Sequence, residues 1–537
     1  MDLWKLTGNI KLSDNNKELS SFFTLFSKPI VFLSIIGIIS IVIRLFYFPS
    51  DIPLVHDALN YFWYSIDLSI TGEFPRVNPD IPTTKLFQYP NNGWPIFVSV
   101  FFSLTDSSNF IELMNLQRII SITSSIITII PLYLLCRKFF TKKLSVIGVG
   151  IFSLHPLVIQ NSLLGITEPL FILLGTICIL FFLSRDYKII IISFVVAALF
   201  TMVRYEGLII FIPMSIIFIF RFRNSGKIIL KYLLLASIFI LILLPMAYLR
   251  TETIGHDGIL SNVLGGTNYF VNATTQQSLS SNENSPIFSG IINFIKFSGM
   301  LSLPYLIFLI PYGFFKCIKK KNSENFTLIF ISITMSLVAF YAYSRDIQEI
   351  RYLLILMPIL SVISLYSIQK LFIFIKKDLI IIFLIFVILI ISSLIYLEFT
   401  KIDYEYENDA YQFSKIVYEK TNIINQYTED QYLRPVIAEF SNEFPKEKKD
   451  LPSPIKILSI VNFESIIQFI EVHEDDGLEY IVVDETSSKT EFLQEIYNNE
   501  KKYPFLEKIY DSSNSKYKVK LFWINYSNIE EGKDYNE

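Results

Sequence analysis

From Leu379 to Leu397 the chain runs nineteen residues without a charge, and from Ile30 to Phe48 it runs nineteen with Arg44 alone. About 18 such residues cross a bilayer as a helix. In hydrocarbon, every backbone amide in such a run must be satisfied internally, which only helices and closed barrels achieve. The chain is therefore read as a polytopic α-helical membrane protein. Eleven spans are expected, at 29–48, 112–135, 144–160, 167–183, 188–203, 207–221, 229–249, 292–314, 326–343, 351–369 and 379–398. A mean hydropathy of +0.47 agrees, being too apolar for a soluble chain of this length. Gly93–Leu104 is apolar but too short to span, and is read as a re-entrant or interfacial segment.

Charge sets the expected orientation. With the N-terminus inside, the inner connections carry Arg137, Lys138, Lys142 and Lys143, then Arg185 and Lys188, then Arg221, Arg223, Lys227 and Lys231. Lys316, Lys319, Lys320 and Lys321 follow, and then Lys370, Lys376 and Lys377. Every short inner loop is basic, as the positive-inside rule requires. Reading Gly93–Leu104 as a full span would move Arg137–Lys143 outside and break the pattern.

Residues 1–28 hold Lys5, Lys11 and Lys17 without a compact apolar core or cleavage site. They are read as a cytoplasmic segment rather than a signal peptide. Residues 29–400 form the expected membrane domain, with a first outer loop at 49–111. From about Ile402 charged residues become frequent. Short strand-like runs (Pro435–Glu439, Ile455–Ile460, Tyr480–Asp484, Tyr517–Ile524) alternate there with helical patterns (Asn408–Lys420, Phe463–His473, Glu491–Glu500). Residues 401–537 are thus an expected extracytoplasmic α/β domain. The sequons at Asn272 and Asn525 fall outside, and the one at Asn325 falls on the inner side and is silent.

Several function classes drop out. Cys136, Cys178 and Cys317 have no paired spacing, so neither a disulfide framework nor a zinc site is indicated. No GxGxxG, Walker or HExxH pattern occurs. The net charge of −3 points to no nucleic-acid partner.

Ionisable groups at a membrane edge are costly, so their positions are informative. In the first outer loop, Asp57, Asn60, Tyr61 and Tyr64 share one helical face, and Leu59, Phe62, Trp63 and Ile66 share another. Glu168 stands at an outer helix start, where Thr167 can cap and Pro169 is tolerated in the first turn. Arg204 and Glu206 form another outer pair. Arg345, Asp346, Glu349 and Arg351 precede a further span. His256 and Asp257 sit in the large outer loop. Each has a bland reading as a cap, an interfacial salt bridge or a snorkelling anchor. Their convergence on one side favours chemistry. A sugar on a lipid phosphate presents an anomeric carbon and a phosphate leaving group at that depth. Displacing the phosphate with a hydroxyl needs a carboxylate base and cations for the departing phosphate.

These residues resemble the GT-C integral-membrane glycosyltransferases, in particular the protein O-mannosyltransferase and aminoarabinose-transferase-like branch. The resemblance covers about 29–400 and rests on five stretches. They are Asp57-Ala-Leu-Asn-Tyr61-Phe-Trp63, Tyr89-Pro90 with Gly93-Trp94-Pro95, Thr167-Glu168-Pro169, Arg204-Tyr-Glu206-Gly207, and Arg351-Tyr352 with Pro358. It implies inverting transfer from a polyprenyl- or dolichyl-phosphate sugar, with a mannose-like hexose expected. The acceptor would be a protein, glycan or lipid at the outer face of the cell membrane. Asp57 occupies the catalytic position, although family members often carry Asp-Glu where this chain has Asp57-Ala58. Glu168 is the second catalytic candidate. Arg204, Glu206, Arg345, Arg351, Tyr61 and His256 are the candidates for substrate and phosphate binding.

No cofactor is required by the sequence, and a divalent metal stays open. Oligosaccharyltransferase catalytic subunits share the architecture and hold a metal with acids from two loops. This chain lacks their Trp-Trp-Asp-Tyr-Gly motif and an Asp-x-Asp in the second outer loop. Two other readings compete. A transporter or flippase would carry its charges near mid-membrane, whereas here they gather at the outer edge. A membrane anchor for a working α/β domain would not need eleven spans.

Overall fold

The apolar runs become helices. The computed structural model describes residues 29–72, 92–105, 107, 109–224, 226–261, 264–265, 286–320, 322–374, 378–433, 435–436, 455–485 and 490–529. The N-terminal segment, Tyr89-Pro90 and the Asn272 sequon lie outside them.

The helices in order are α1 (Pro29–Phe46), α2 (His56–Thr71), α3 (Gly93–Ser103), α4 (Phe110–Ile127), α5 (Ile129–Arg137), α6 (Lys142–Ser153), α7 (Pro156–Leu163), α8 (Glu168–Phe182) and α9 (Tyr187–Val203). There follow α10 (Phe211–Phe222), α11 (Ile228–Ile254), α12 (Pro286–Ser302), α13 (Leu306–Lys319), α14 (Ser323–Ser344), α15 (Arg351–Leu354), α16 (Met357–Phe374) and α17 (Asp378–Phe399).

Among the described residues, six helical stretches are long and apolar enough to cross a membrane: Pro29–Phe46, Phe110–Arg137, Tyr205–Phe222, Ile228–Glu252, Ser323–Ser344 and Ile380–Phe399. Two bent pairs, α6 with α7 at 51° and α12 with α13 at 107°, raise the number to eight if each is one span. The expected count of about eleven is not reproduced. The reason is that α8, α9 and α16 are apolar but fall below full span length as single straight helices, and that α6–α7 and α12–α13 are bent. Gly93–Ser103 is a short apolar helix of eleven residues.

The described residues of Met1–Phe48, Phe74–Phe97 and Arg118–Thr400 form one unit, the helical membrane bundle. In it α8 packs on α9, α13 on α16, α12 on α14, and α6 on α1, α5 and α16. Its polarity is that of a lipid-embedded body. Leu233, Leu241 and Leu244 of α11 face outward, while Ser40, Thr128, Ser145 and Thr176 are buried. Arg44 is buried too, and it serves a specific need. The break between α6 and α7 frees the Ser153 carbonyl, which an unbroken helix would have bonded. Arg44 Nη1 donates to that oxygen at 3.2 Å, its Nε to Ser162 Oγ at 2.9 Å and its Nη2 to Ser125 Oγ at 3.0 Å. The last turn of α1 is thereby tied to α4, α6 and α7.

The described residues of Pro49–Glu73, Val98–Gln117 and Lys401–Glu537 form the second unit. Its C-terminal part holds α18 (Glu405–Lys420), β1 (Ile423–Asn425), β2 (Lys456–Leu458), α19 (Ile466–His473), β3 (Tyr480–Asp484), α20 (Glu491–Asn498), β4 (Leu506–Asp511) and β5 (Val519–Ile524). The sheet order is β2-β1-β3-β5-β4. β2, β1 and β3 are parallel, while β5 runs antiparallel to both β3 and β4. Strand alternation sends side chains to opposite faces. Ile481 and Val483 of β3, with Phe522 and Ile524 of β5, meet Phe469, Ile470 and Ile496 of α19 and α20. Val482, Val519 and Leu521 meet Ala410, Phe413 and Val417 of α18 on the other face. The domain is α/β, as expected, but β1 and β4 form where no strand was expected, and the strand expected at Pro435–Glu439 is not seen in its described residues. Pro435 and Val436 are helical, and the rest of that expected strand, 437–439, lies outside the described residues.

Gly313 in α13 meets the α16 backbone so closely that a Cβ there would lie 2.3 Å from the Ile363 carbonyl oxygen. A backbone atom cannot swing aside. Gly313→Ala is expected to cost about 1–3 kcal/mol through overpacking, read as a lower unfolding temperature in detergent. Gly299, where a Cβ meets nothing within 4 Å, is the control and should tolerate Ala.

Candidate functional site

Four of the residues singled out in the sequence come together in the bundle. α8 begins at Glu168 with Pro169 beside it in the first turn, where a missing N–H costs nothing. Glu168 is only 2% exposed, at the positive end of the helix dipole. α9 ends at Val203, and Arg204 leaves it in an extended conformation. A 3-10 turn, Tyr205–Ile210, follows immediately and carries Glu206. Arg351 opens α15.

Arg204 sits between the two acids. Its Nη1 pairs with Glu168 Oε1, and its Nη2 lies 2.8 Å from Glu206 Oε1. Its guanidinium carbon also lies 5.4 Å from the Tyr352 ring centroid and 6.0 Å from that of Phe171. Arg351 Nε is 3.9 Å from the same Glu168 oxygen and pairs with Glu349. Glu168 thus faces two guanidinium groups. The expected cap at Thr167 does not form: its side chain makes no bond to a helix amide. Its hydroxyl instead donates to Glu168 Oε2 at 3.3 Å and accepts from Arg204 Nη1 at 3.3 Å. The competing charged partners win because bonds to ionised groups are about twice as strong as neutral ones.

The cluster encloses a cavity of about 10 Å³, room for one water at most. It is a packed structure, and any substrate meets it from the rim. Arg351 is the member nearer that rim, with 20% of its side chain exposed against 8% for Arg204. A divalent cation does not fit inside, because Glu168 and Glu206 each already face a guanidinium. Among the described residues of the whole chain, no three His, Cys, Asp or Glu side chains form a metal-holding group.

The other candidates have contacts of their own. Arg345 stacks over Tyr341 at 5.7 Å. His256 follows α11, and its neighbour Asp257 accepts the backbone amides of Ile259, Leu260 and Ser261 at 3.1, 2.6 and 2.9 Å. Burial pushes the Asp257 pKa up, but the Ser261 hydroxyl and these amides pull it below the ordinary value. Asp257 is a local cap. Asp57 and Tyr61 belong to the second unit, on α2. The expected polar face of that helix is not kept. Tyr61 and Tyr64 are buried alongside Leu59, Phe62, Trp63 and Ile66, because the phenol rings add apolar area that favours burial. Asp57 and Asn60 stay half-buried.

Two roles were not expected from the sequence. Phe171 and Tyr352 wall the arginines. Arg250, 1% exposed near the C-terminal end of α11, donates from Nη1 to Asn92 Oδ1 at 2.7 Å. A charge at the end of an apolar run was the available signal. Asn92 leads into Gly93, whose missing side chain lets α3 abut α9: a Cβ would lie 2.7 Å from the Met202 carbonyl carbon. The quoted Gly93-Trp94-Pro95 stretch therefore wedges against the residues just ahead of Arg204.

The architecture matches solved structures over nearly the whole chain. The oligosaccharyltransferase of Archaeoglobus fulgidus, in complex with zinc and sulfate, superposes with a TM-score of 0.53 at 13% identity, over 92% of this chain and 73% of that one. ArnT from Cupriavidus metallidurans, bound to undecaprenyl phosphate, superposes with a TM-score of 0.55 at 8% identity, over 91% and 97%. This is the GT-C glycosyltransferase fold. The Archaeoglobus enzyme AglB, in complex with an inhibitory peptide and a dolichol-phosphate, matches at 0.53 and 13%, over 93% and 74%. No protein-family model and no curated protein matches the sequence. The GT-C architecture is thus carried here by packing rather than by sequence likeness.

Glu168→Ala removes a buried charged bond but leaves Arg204 with Glu206 and Arg351 with Glu349, and is expected to cost about 1.5–3 kcal/mol. Glu349→Ala, where the acid is 48% exposed, should cost below about 1 kcal/mol. Chemical unfolding of the two variants in detergent reads the difference.

Proposed function

We propose that the protein is a membrane glycosyltransferase that moves a sugar from a polyprenyl- or dolichyl-phosphate donor to a hydroxyl-bearing acceptor. The observation that carries the reading is the Arg204–Glu168–Arg351 cluster within a GT-C fold. Solved proteins of that fold bind dolichol-phosphate and undecaprenyl phosphate. A phosphate leaving group needs fixed cations, and guanidinium groups match its oxygens in pairs. Arg351, nearer the rim, contacts the phosphate. Arg204, held by Glu206 and Glu168, sets the local geometry, and Glu168 aligns both arginines. Arg345 is a further candidate for the phosphate, and His256 for substrate binding.

Asp57 acts as the general base, with Tyr61 on the same helix as a candidate substrate contact. It takes the proton of the acceptor hydroxyl as that oxygen attacks the anomeric carbon. The carbon–oxygen bond to phosphate breaks on the opposite face, so configuration inverts, and the lipid phosphate leaves with the electron pair. A mannose-like hexose is the proposed sugar, with a protein, glycan or lipid acceptor. The site faces the outer side, with residues 1–28 cytoplasmic and 401–537 extracytoplasmic. The basic inner loops support that orientation.

Transfer of a preassembled lipid-linked glycan is the second reading, favoured by the oligosaccharyltransferase likeness. A donor panel of lipid-phosphate monosaccharides and lipid-linked oligosaccharides, offered to purified protein in lipid, separates the two. Monosaccharide transfer is expected. In the same assay Asp57→Asn should lower kcat by about 100-fold or more, the usual worth of a general base. Arg351→Ala should lower kcat/KM while leaving the fold intact. Full activity of Asp57→Asn with every donor the wild type accepts would refute its role.

A further inference from the structure

The helix that carries Asp57 begins in an unfavourable way. Its N-cap is Val55, among the poorest cap residues, and no side-chain bond caps it. The next residue, His56, has φ +49°, a conformation that non-glycine residues seldom adopt. Neither choice is explained by the helix itself, so something outside the helix must hold its start.

Three contacts within the second unit do so. The Val55 side chain packs against the apolar cluster formed by α18, β3 and β5, and Ile111 of α4 packs against the same cluster. Gln117 Nε2, fully buried, donates to the Ala58 carbonyl oxygen at 3.0 Å. Phe62 and Trp63 meet Phe110 at ring distances of 5.8 and 5.2 Å. His56 also acts electrostatically on Glu429, whose pKa burial raises and whose partners Gln431, Tyr406 and His56 pull the other way. Glu429 is held by Gln431 Nε2 at 2.7 Å and by the Tyr406 hydroxyl at 3.3 Å. His56 is exposed, so this attraction is screened and secondary.

We propose that the C-terminal α/β domain is the mount of the Asp57 helix, with Val55 as the positioning residue that seats its first turn. A valine at the N-cap gives up a cap bond, and its burial against the domain offsets that loss. The domain then serves the reaction through the placement of Asp57. This rests on Asp57 being the base, as proposed above, but the docking itself does not.

The test uses the full chain in lipid nanodiscs. Val55→Glu puts a charge against an apolar cluster, while Val55→Ile keeps the contact. Hydrogen exchange at the amides of α2 is expected to rise about tenfold or more in Val55→Glu, with Ser323–Ser344 unchanged and Val55→Ile like the wild type. With a lipid-phosphate mannose as donor, kcat should fall about tenfold in Val55→Glu with little change in the donor KM. Should exchange across Tyr480–Asp484 also rise, the domain itself is damaged, and Ile111→Ala replaces Val55→Glu with the same expectations. Wild-type exchange in α2 alongside an intact domain would overturn the proposal. So would fast exchange with unaltered kcat. Exchange is read without substrate, so a wild type that transfers no sugar sinks the functional reading and leaves the docking claim to stand or fall on its own.

Discussion

Arg204 is 7% exposed in a membrane bundle, and the site depends on how that charge is accommodated. A lone buried cation would be costly there. Glu206, two residues further on in the 3-10 turn, takes one edge of the guanidinium, and Glu168 from the start of α8 takes another. The ends of two helices are thereby locked together, and Phe171 and Tyr352 close the sides. Glu168 has a second guanidinium, that of Arg351, 3.9 Å away. The cluster therefore both holds the bundle at that end and presents a cation at its rim. Its cavity admits one water at most, so the contribution proposed for it is charge and placement.

The second unit solves a different problem. Its α/β core places one apolar face on α19 and α20, and the other face packs on α18 and accepts Val55 and Ile111. The helix bearing Asp57 thus clusters with a domain more than three hundred residues further along the chain. An acid on a loop would wander, and a general base, the role proposed for Asp57, works best on a rigid element.

Much of the bundle could be read from the sequence. The long apolar runs found their helices, and Glu168, Arg204, Glu206 and Arg351 found one another, because buried charges must pair. What stayed hidden depended on partners far away in sequence. The span count is not reproduced, because an apolar run reports composition, whereas the bends at His155 and Pro304 depend on packing. Thr167 looked like a cap until Arg204 competed for its hydroxyl. The amphipathic split of α2 failed at Tyr61 and Tyr64, which carry polar tips on large apolar bodies. β1 was missed outright: three residues, Ile423–Asn425, give no alternation to count. The docking of Val55 left only an indirect trace, an apolar residue where a cap belongs.

In the proposed reaction the bond between sugar and lipid phosphate breaks. Reconstitution into vesicles with a polyprenyl-phosphate sugar labelled in both sugar and lipid follows that bond. Labelled sugar is expected on the acceptor with inverted configuration, matched one for one by free lipid phosphate, and Asp57→Asn is expected to stop both. Lipid-phosphate sugar crossing the membrane intact, with no free lipid phosphate formed, would contradict it.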